Sequence, residues 1–348
     1  MLYYIIPYLV LISFYLVSHL FPREKRSITL LRVMFLIGFT PAILLVTLRG
    51  GVGTDTGNYI QMAKDIAQGG YERYGDYDVE FGFFFLIKFL TSMVDEPRIV
   101  INTISFFIAI YSYYLFAASK NSILVFILLI FPVFFYDMSM NGLRYGLAFL
   151  LAKHASDKYE SNNKVFALAL LIASIGFQLS GILVFFLLKV NRLKVSTAIY
   201  MAPLFLAVYI VFEQRLLYKL LSYQMLESPS NTSGLMPLIV FLLCYLIIFF
   251  ESSAFSRQLL FFLIAEIAAF MLAGITYAGL RFQMLILFSF FGALSAAHFQ
   301  SLFKKNAIPI FLLVVGVIGF SGKLRNFSDG SFEPGTPFLP YSFFWAAK

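Results

Sequence analysis

Apolar runs of membrane-crossing length recur along the whole sequence, and no other feature restricts the fold as much. A bilayer core of about 30 Å takes roughly 20 apolar residues of helix to cross. Runs of that character fall near 2–21, 29–48, 99–117, 122–136, 142–155, 164–176, 178–190, 196–212, 235–250, 258–275, 281–299 and 307–321. Several are short, as helices are when they tilt, break or pack inside a bundle. Only 13% of the residues are charged, against about 25% in a soluble domain. A soluble enzyme and a disordered or fibrous chain are both excluded. The sequence specifies an all-α polytopic integral membrane protein with about 12 transmembrane helices, built as one transmembrane domain over 1–348. The first run has no basic flank before it and no small-residue cleavage site, so it reads as a retained span rather than a signal peptide.

The remaining composition narrows the chemistry. The one cysteine, Cys244, rules out a disulfide framework and a cysteine metal site. His19, His154 and His298 are scattered and show no ligand spacing, so no metal or other cofactor is expected. The formal net charge is +8, but the Lys and Arg are dispersed between apolar runs and form no basic face for nucleic acid.

Those same residues orient the chain, because short cytoplasmic loops collect Lys and Arg. The stretch Pro22-Arg-Glu-Lys-Arg-Ser is strongly basic, as are the loops at Lys120, 153–164, 189–194, Arg257 and 304–305. All can lie inside only if 81–94 does not cross. That run is short and carries Lys88 at its middle, which suits a re-entrant or interfacial helix. Both termini are then outside, as are a loop over 49–80, a loop over 213–234 and a tail over 322–348.

The outer loop 49–80 opens with Arg49-Gly-Gly-Val-Gly-Thr-Asp-Thr-Gly-Asn-Tyr. Its glycines permit unusual backbone angles and close approach to a ligand, and Thr54 or Asp55 can cap a helix starting near Gly57. An ordinary capped loop explains these features equally well. Arginines at the outer ends of spans carry more information: Arg144, in Asn141-Gly-Leu-Arg-Tyr145-Gly, and Arg281, after Tyr277-Ala-Gly-Leu. A charge within a span costs about 2.5–3.5 kcal/mol on insertion scales, so it has a partner or a task. Singly, each arginine could snorkel or pair with Asp137 or Glu266. Together, Arg49, Arg144 and Arg281 suit a phosphate or pyrophosphate at the membrane surface. Asp55, Asp76, Asp78 and Glu80 share the outer loop as possible bases. Glu266 lies within a span, Gln178 and Ser180 make a polar break between two short runs, and the aromatic, proline-rich tail suits an interfacial belt.

These residues resemble a known family. Arg49-Gly-Gly-Val-Gly-Thr54-Asp55 with Tyr59, then Glu80-Phe-Gly-Phe-Phe, resembles the outer loop of bacterial EpsG/Wzy-type polysaccharide polymerases. Asn141-Gly-Leu-Arg144-Tyr145-Gly-Leu-Ala is similar to that family's Asn-x-x-Arg element. Phe177-Gln178-Leu-Ser180 stands where the family has Phe-His-x-Ser, so a neutral amide replaces a group able to take a proton. Tyr277-Ala-Gly-Leu-Arg281 and Pro340-Tyr-Ser-Phe-Phe-Trp resemble its last two signatures.

The resemblance implies a GT-C-like helical glycosyltransferase of the bacterial inner membrane, working at the periplasmic face without a metal or cofactor. Its substrates would be undecaprenyl-pyrophosphate-linked oligosaccharide repeat units among the membrane lipids, with a chain-length regulator as protein partner. Arg144 and Arg281, supported by Arg49, would hold the pyrophosphate, and Asp55 or Glu80 would activate the acceptor hydroxyl. Thr54, Tyr59, Asn141, Tyr145, Gln178, Ser180 and Tyr277 would contact substrate. The rivals are an O-antigen ligase, disfavoured by the short 213–234 loop, and a flippase or transporter for the lipid-linked unit. A membrane acyltransferase would want a placed histidine.

Overall fold

A computed structural model describes residues 1–20, 27–70, 80–189, 233–251, 257–295, 307–328 and 337–346, and all regular structure among them is helical. Four helices are long and apolar enough to cross a membrane: α2 (Ile28–Thr47), α5 (Pro97–Phe116), α12 (Tyr277–Leu294) and α13 (Ala307–Ser328). Shorter apolar helices accompany them: α1 (Leu2–Leu20), α4 (Phe81–Thr91), α8 (Lys164–Phe177), α9 (Gly181–Lys189), α10 (Leu235–Glu251) and α11 (Arg257–Ala273). The architecture is that of a polytopic membrane bundle. The expected span 196–212, nearly all of the 213–234 loop, and the whole of 71–79 with Asp76 and Asp78 lie outside the described residues.

The helices alternate in direction, and cross-chain contacts fix both ends. At one end Arg144 meets Glu80, Tyr4 meets Phe338 and Asp137 meets Lys323. At the other, Arg32 bonds the carbonyls of Ala117 and Ala118, and Lys189 pairs with Glu160. We call these the Arg144 end and the Arg32 end.

Helix α4 stays at one end. Glu80 before it pairs with Arg144, and Arg98 after it donates to the Phe344 carbonyl. It is half the length a crossing needs, and Gly82 sits so close to Gly176 that a Cβ would lie 2.7 Å from the Gly176 carbonyl. Both flanks of α4 therefore lie at the Arg144 end of the bundle.

The sequence suggests a break at 137–141 between two spans, and there the structure differs. The helix α6 begins as Lys120–Val125 and continues as π turns, Phe126–Phe135 and Asp137–Asn141, ending only at Gly142. Pro132 has no N–H and crowds the carbonyl of Leu128, and the wider π turn absorbs that conflict. The Leu128 carbonyl instead faces Gly316 of α13, where a Cβ would come within 1.9 Å. Such small-residue contacts are how helices approach when lipid supplies no hydrophobic drive. Helix α7 (Leu143–Glu160) then starts immediately, so Asn141 and Arg144 flank one tight corner. The helix α13 likewise outruns its apolar stretch and carries 322–328, expected as tail, to Ser328.

Candidate functional site

The corner at Gly142 forms one wall of the site and the glycine loop forms the other. Gly53 holds φ +118°, and a Cβ there would meet Thr56 Oγ1, Asn141 Oδ1 and the Met140 carbonyl at 2.6, 2.9 and 3.1 Å. Only glycine fits that angle and that approach. With it in place, the Thr54 N–H donates to Asn141 Oδ1 at 3.0 Å, and Thr56 Oγ1 donates to the carbonyls of Val52 and Met140. Asn141 in turn donates to Asp137, whose carboxylate pairs with Lys323 of α13.

Helix α3 (Thr56–Ala67) follows. The cap is Asp55, as the sequence suggests, but its side chain makes no capping bond and Thr54 contributes only its backbone. The Asp55 carboxylate is therefore left at the surface, between the arginines. Desolvation by the surrounding protein raises its pKa above the usual carboxylate value, Arg281 and Arg144 pull it down, and Asp137 pushes it up.

Arg144 lies on the first turn of α7, with 29% of its side chain exposed. It donates to Glu80 Oε2 at 3.0 Å, and Glu80 is 3% exposed. It also bonds the Tyr59 phenol, which is held from α3 with its ring 5.5 Å from Phe83 of α4. Burial raises the Tyr59 phenol above its usual value while Arg144 lowers it. Arg144 is therefore paired, with Glu80 rather than the Asp137 or Glu266 weighed from sequence, and one part of it still faces outward. Glu80 is correspondingly an ion-pair partner, not a free base.

Arg281, exposed on the first turn of α12, is within electrostatic reach of Asp55. Tyr277 is one turn earlier and 36% exposed. The Tyr145 ring stands over Gly142, leaving no space for a Cβ there, within reach of Asp137, Tyr59, Asp55 and Arg281. Asp55, Tyr59, Glu80, Asn141, Arg144, Tyr145 and Arg281 thus converge. Gln178 and Ser180 sit at the turn between α8 and α9, adjoining the Gly176–Gly82 contact, and Ser180 Oγ is buried without a protein partner among the described residues.

Arg49 does not join them as expected. It is fully buried, and donates to the Val52 carbonyl and to Ser105 Oγ at 3.4 and 3.2 Å. The tail closes over it: Arg49 bridges Phe343, Gly50 N–H bonds Ser342, Gly53 N–H bonds Pro337 and Phe344 N–H bonds Leu48. Burial lowers the guanidinium to about 10, with Tyr341, Tyr59 and Tyr4 acting the other way, so it stays charged and has no face for a ligand. The sequence shows the charge but not the tail that covers it.

Lys323 is the residue that sequence reasoning missed. Its signal is a cation just past an apolar run. Glu266 is fully buried and accepts from Gln283 of α12.

A helical membrane bundle with a half-open arginine, paired to a buried carboxylate and set beside a second arginine and an acid, defines the class: a polytopic membrane protein with a charged cluster gathered at one end of its bundle. The particular family follows from the sequence match, since the chain belongs to the EpsG family, whose model matches residues 32–343. That is a Wzy-type polymerase family, which points to an exopolysaccharide or O-antigen polymerase type of role and glycosyltransferase-like chemistry. Comparison with the curated proteins and with the solved structures yields no match.

Proposed function

We propose that this protein transfers a growing glycan from its undecaprenyl pyrophosphate carrier to the next lipid-linked repeat unit, at the periplasmic face of the bacterial inner membrane. The observation that carries the reading is the pairing of Arg144 with Glu80 and Tyr59, in a family of polymerases, with Arg281 and Asp55 alongside.

In the reaction, the acceptor hydroxyl oxygen bonds to the anomeric carbon, and the bond from that carbon to the pyrophosphate oxygen breaks. The hydroxyl proton passes to Asp55, the one acid of the cluster with no ion-pair partner among the described residues. Charge gathers on the departing pyrophosphate, where Arg144 and Arg281 stabilise it, so no metal is required. Glu80 and Tyr59 hold Arg144 in position. Thr54, Asn141, Tyr145, Tyr277, Gln178 and Ser180 frame the space for sugar hydroxyls, and Arg49 braces the loop from behind.

The Arg32 end carries Lys120, Lys153, Lys158, Lys164 and Lys189, which supports the cytoplasmic assignment for it and the outer one for the Arg144 end. A chain-length regulator is the protein partner this role calls for.

Glycan profiling by gel in a strain lacking the gene tests the reading. Loss of the polymer ladder, with single repeat units remaining, is the expected result. Bare core with long lipid-linked polymer still accumulating means a ligase. Repeat units trapped on the cytoplasmic leaflet mean a flippase.

A further inference from the structure

The Arg32 end holds a feature that glycan transfer does not use. A cavity of about 560 Å³ opens between the start of α2, the end of α5 and the end of α7. Arg32 and Lys158 border it, with Tyr113, Tyr114, His154 and Ser161. It opens at the end of the bundle opposite Arg144.

The charges around it do not cancel locally. Asp157 also lines the cavity, but both its oxygens accept from Lys153 Nζ at 2.7 Å, so that acid is already neutralised. Arg32 uses Nε and Nη2 on the carbonyls of Ala117 and Ala118 at 2.8 and 3.2 Å. Those bonds cap the end of α5, lock the guanidinium plane and leave Nη1 without a protein partner among the described residues. Lys158 has no carboxylate partner there either; its Nζ stands 5.8 Å from the centre of the Phe166 ring. Nothing else about His154 adds an acid: its Nδ1 meets the Tyr111 hydroxyl at 2.6 Å, and its ring contacts Tyr114 and Phe166.

Two cations thus face one cavity without a carboxylate to answer them, and the Arg32 fork is held rigid by backbone. A guanidinium presenting N–H groups to a cavity that an ammonium also lines matches the oxygens of a phosphate group. Basic pockets between helices on the cytoplasmic side of a membrane take lipid phosphates in this way. The geometry points to a phosphate-binding site at the Arg32 end, formed by Arg32 and Lys158 and separate from the glycan site. Its ligand is a phosphate carried either by an anionic lipid headgroup or by a small soluble molecule.

Native mass spectrometry on the full chain in detergent separates the two sources. Phosphatidylglycerol, phosphatidylcholine and inorganic phosphate are added in turn to the wild type, to Lys158→Gln and to Arg32→Lys. If the source is lipid, phosphatidylglycerol adducts survive in the wild type, fall at least tenfold in Lys158→Gln, and exceed those of phosphatidylcholine. If the source is soluble, inorganic phosphate binds, competes with any lipid and is lost in the same variant. Arg32→Lys retains the charge and loses the fork, so it binds at an intermediate level; its melting temperature reports separately on the cap of α5. Equal adducts across the wild type and Lys158→Gln, or none for either phosphate source, overturn the assignment.

Discussion

Arg49 and Arg144 lie at the same end of the bundle and look alike in sequence, each at the edge of an apolar run. Their surroundings differ in kind. Arg49 is enclosed by carbonyls, a serine hydroxyl and the 337–346 segment, and it has no exposed surface. Arg144 has a carboxylate and a phenol behind it and open space before it. A buried guanidinium met by neutral acceptors is a structural brace. A guanidinium oriented by a buried acid, with donors still facing outward, is prepared for an anion that has yet to arrive. The contrast is between charge spent on the fold and charge kept for a ligand.

The largest effect expected from this contrast is at Arg144. Arg144→Ala should cut polymer formation by about 10²–10³, the cost of losing one charge-stabilising donor in a transition state. Protein abundance should hold, so gel profiling normalised to membrane protein is the check. Full-length polymer at normal expression, in this variant and in Arg281→Ala, would refute the pyrophosphate role.

Arg49 should respond in the opposite currency. Arg49→Met should lower stability by about 1–3 kcal/mol, the range for breaking a buried polar network. Thermal unfolding in detergent would register it, while activity per folded molecule changes far less than in Arg144→Ala. A variant as stable as wild type but inactive would move Arg49 back into the site.

The smallest effect sharpens the role of Asp55. As a base it works when ionised, and its pKa is raised, mainly by desolvation. The rate of transfer by the purified protein should therefore rise with pH through a value above the ordinary carboxylate range of about 3.9. Asp55→Asn should be slow and lose that limb. An unchanged acid limb in the variant would assign the proton to another group.

Much of this molecule was legible in the sequence, and the illegible parts have physical reasons. The apolar runs gave the helices, because crossing length leaves few alternatives. The parity of basic loops predicted a helix at 81–94 that does not cross, and α4 has both its flanks at the Arg144 end. Arg144 could be found because a charge beside an apolar run is costly without purpose, and Asn141 and Tyr59 through the family resemblance. Pairing across the chain could not be found: Asp137 and Lys323 are 186 positions apart, and neither carries a local mark of the other. The extension of α6 to Asn141 was hidden as well, since the polar stretch from Asp137 to Asn141 reads as a loop where the apolar run ends. Burial of Arg49 depends on a segment almost 300 residues away, and no local pattern encodes it.

That last dependence has a consequence for how the protein is made. Tyr341 donates to the Leu45 carbonyl across 296 positions, and the same stretch braces the glycine loop. At about 5–20 residues per second of synthesis, the loop emerges roughly 15–60 s before the strap that holds it. During that interval one wall of the site is unsupported. Completion of the bundle and assembly of the site are thus reached together, since the glycine loop gains its brace only after the last helix has been made.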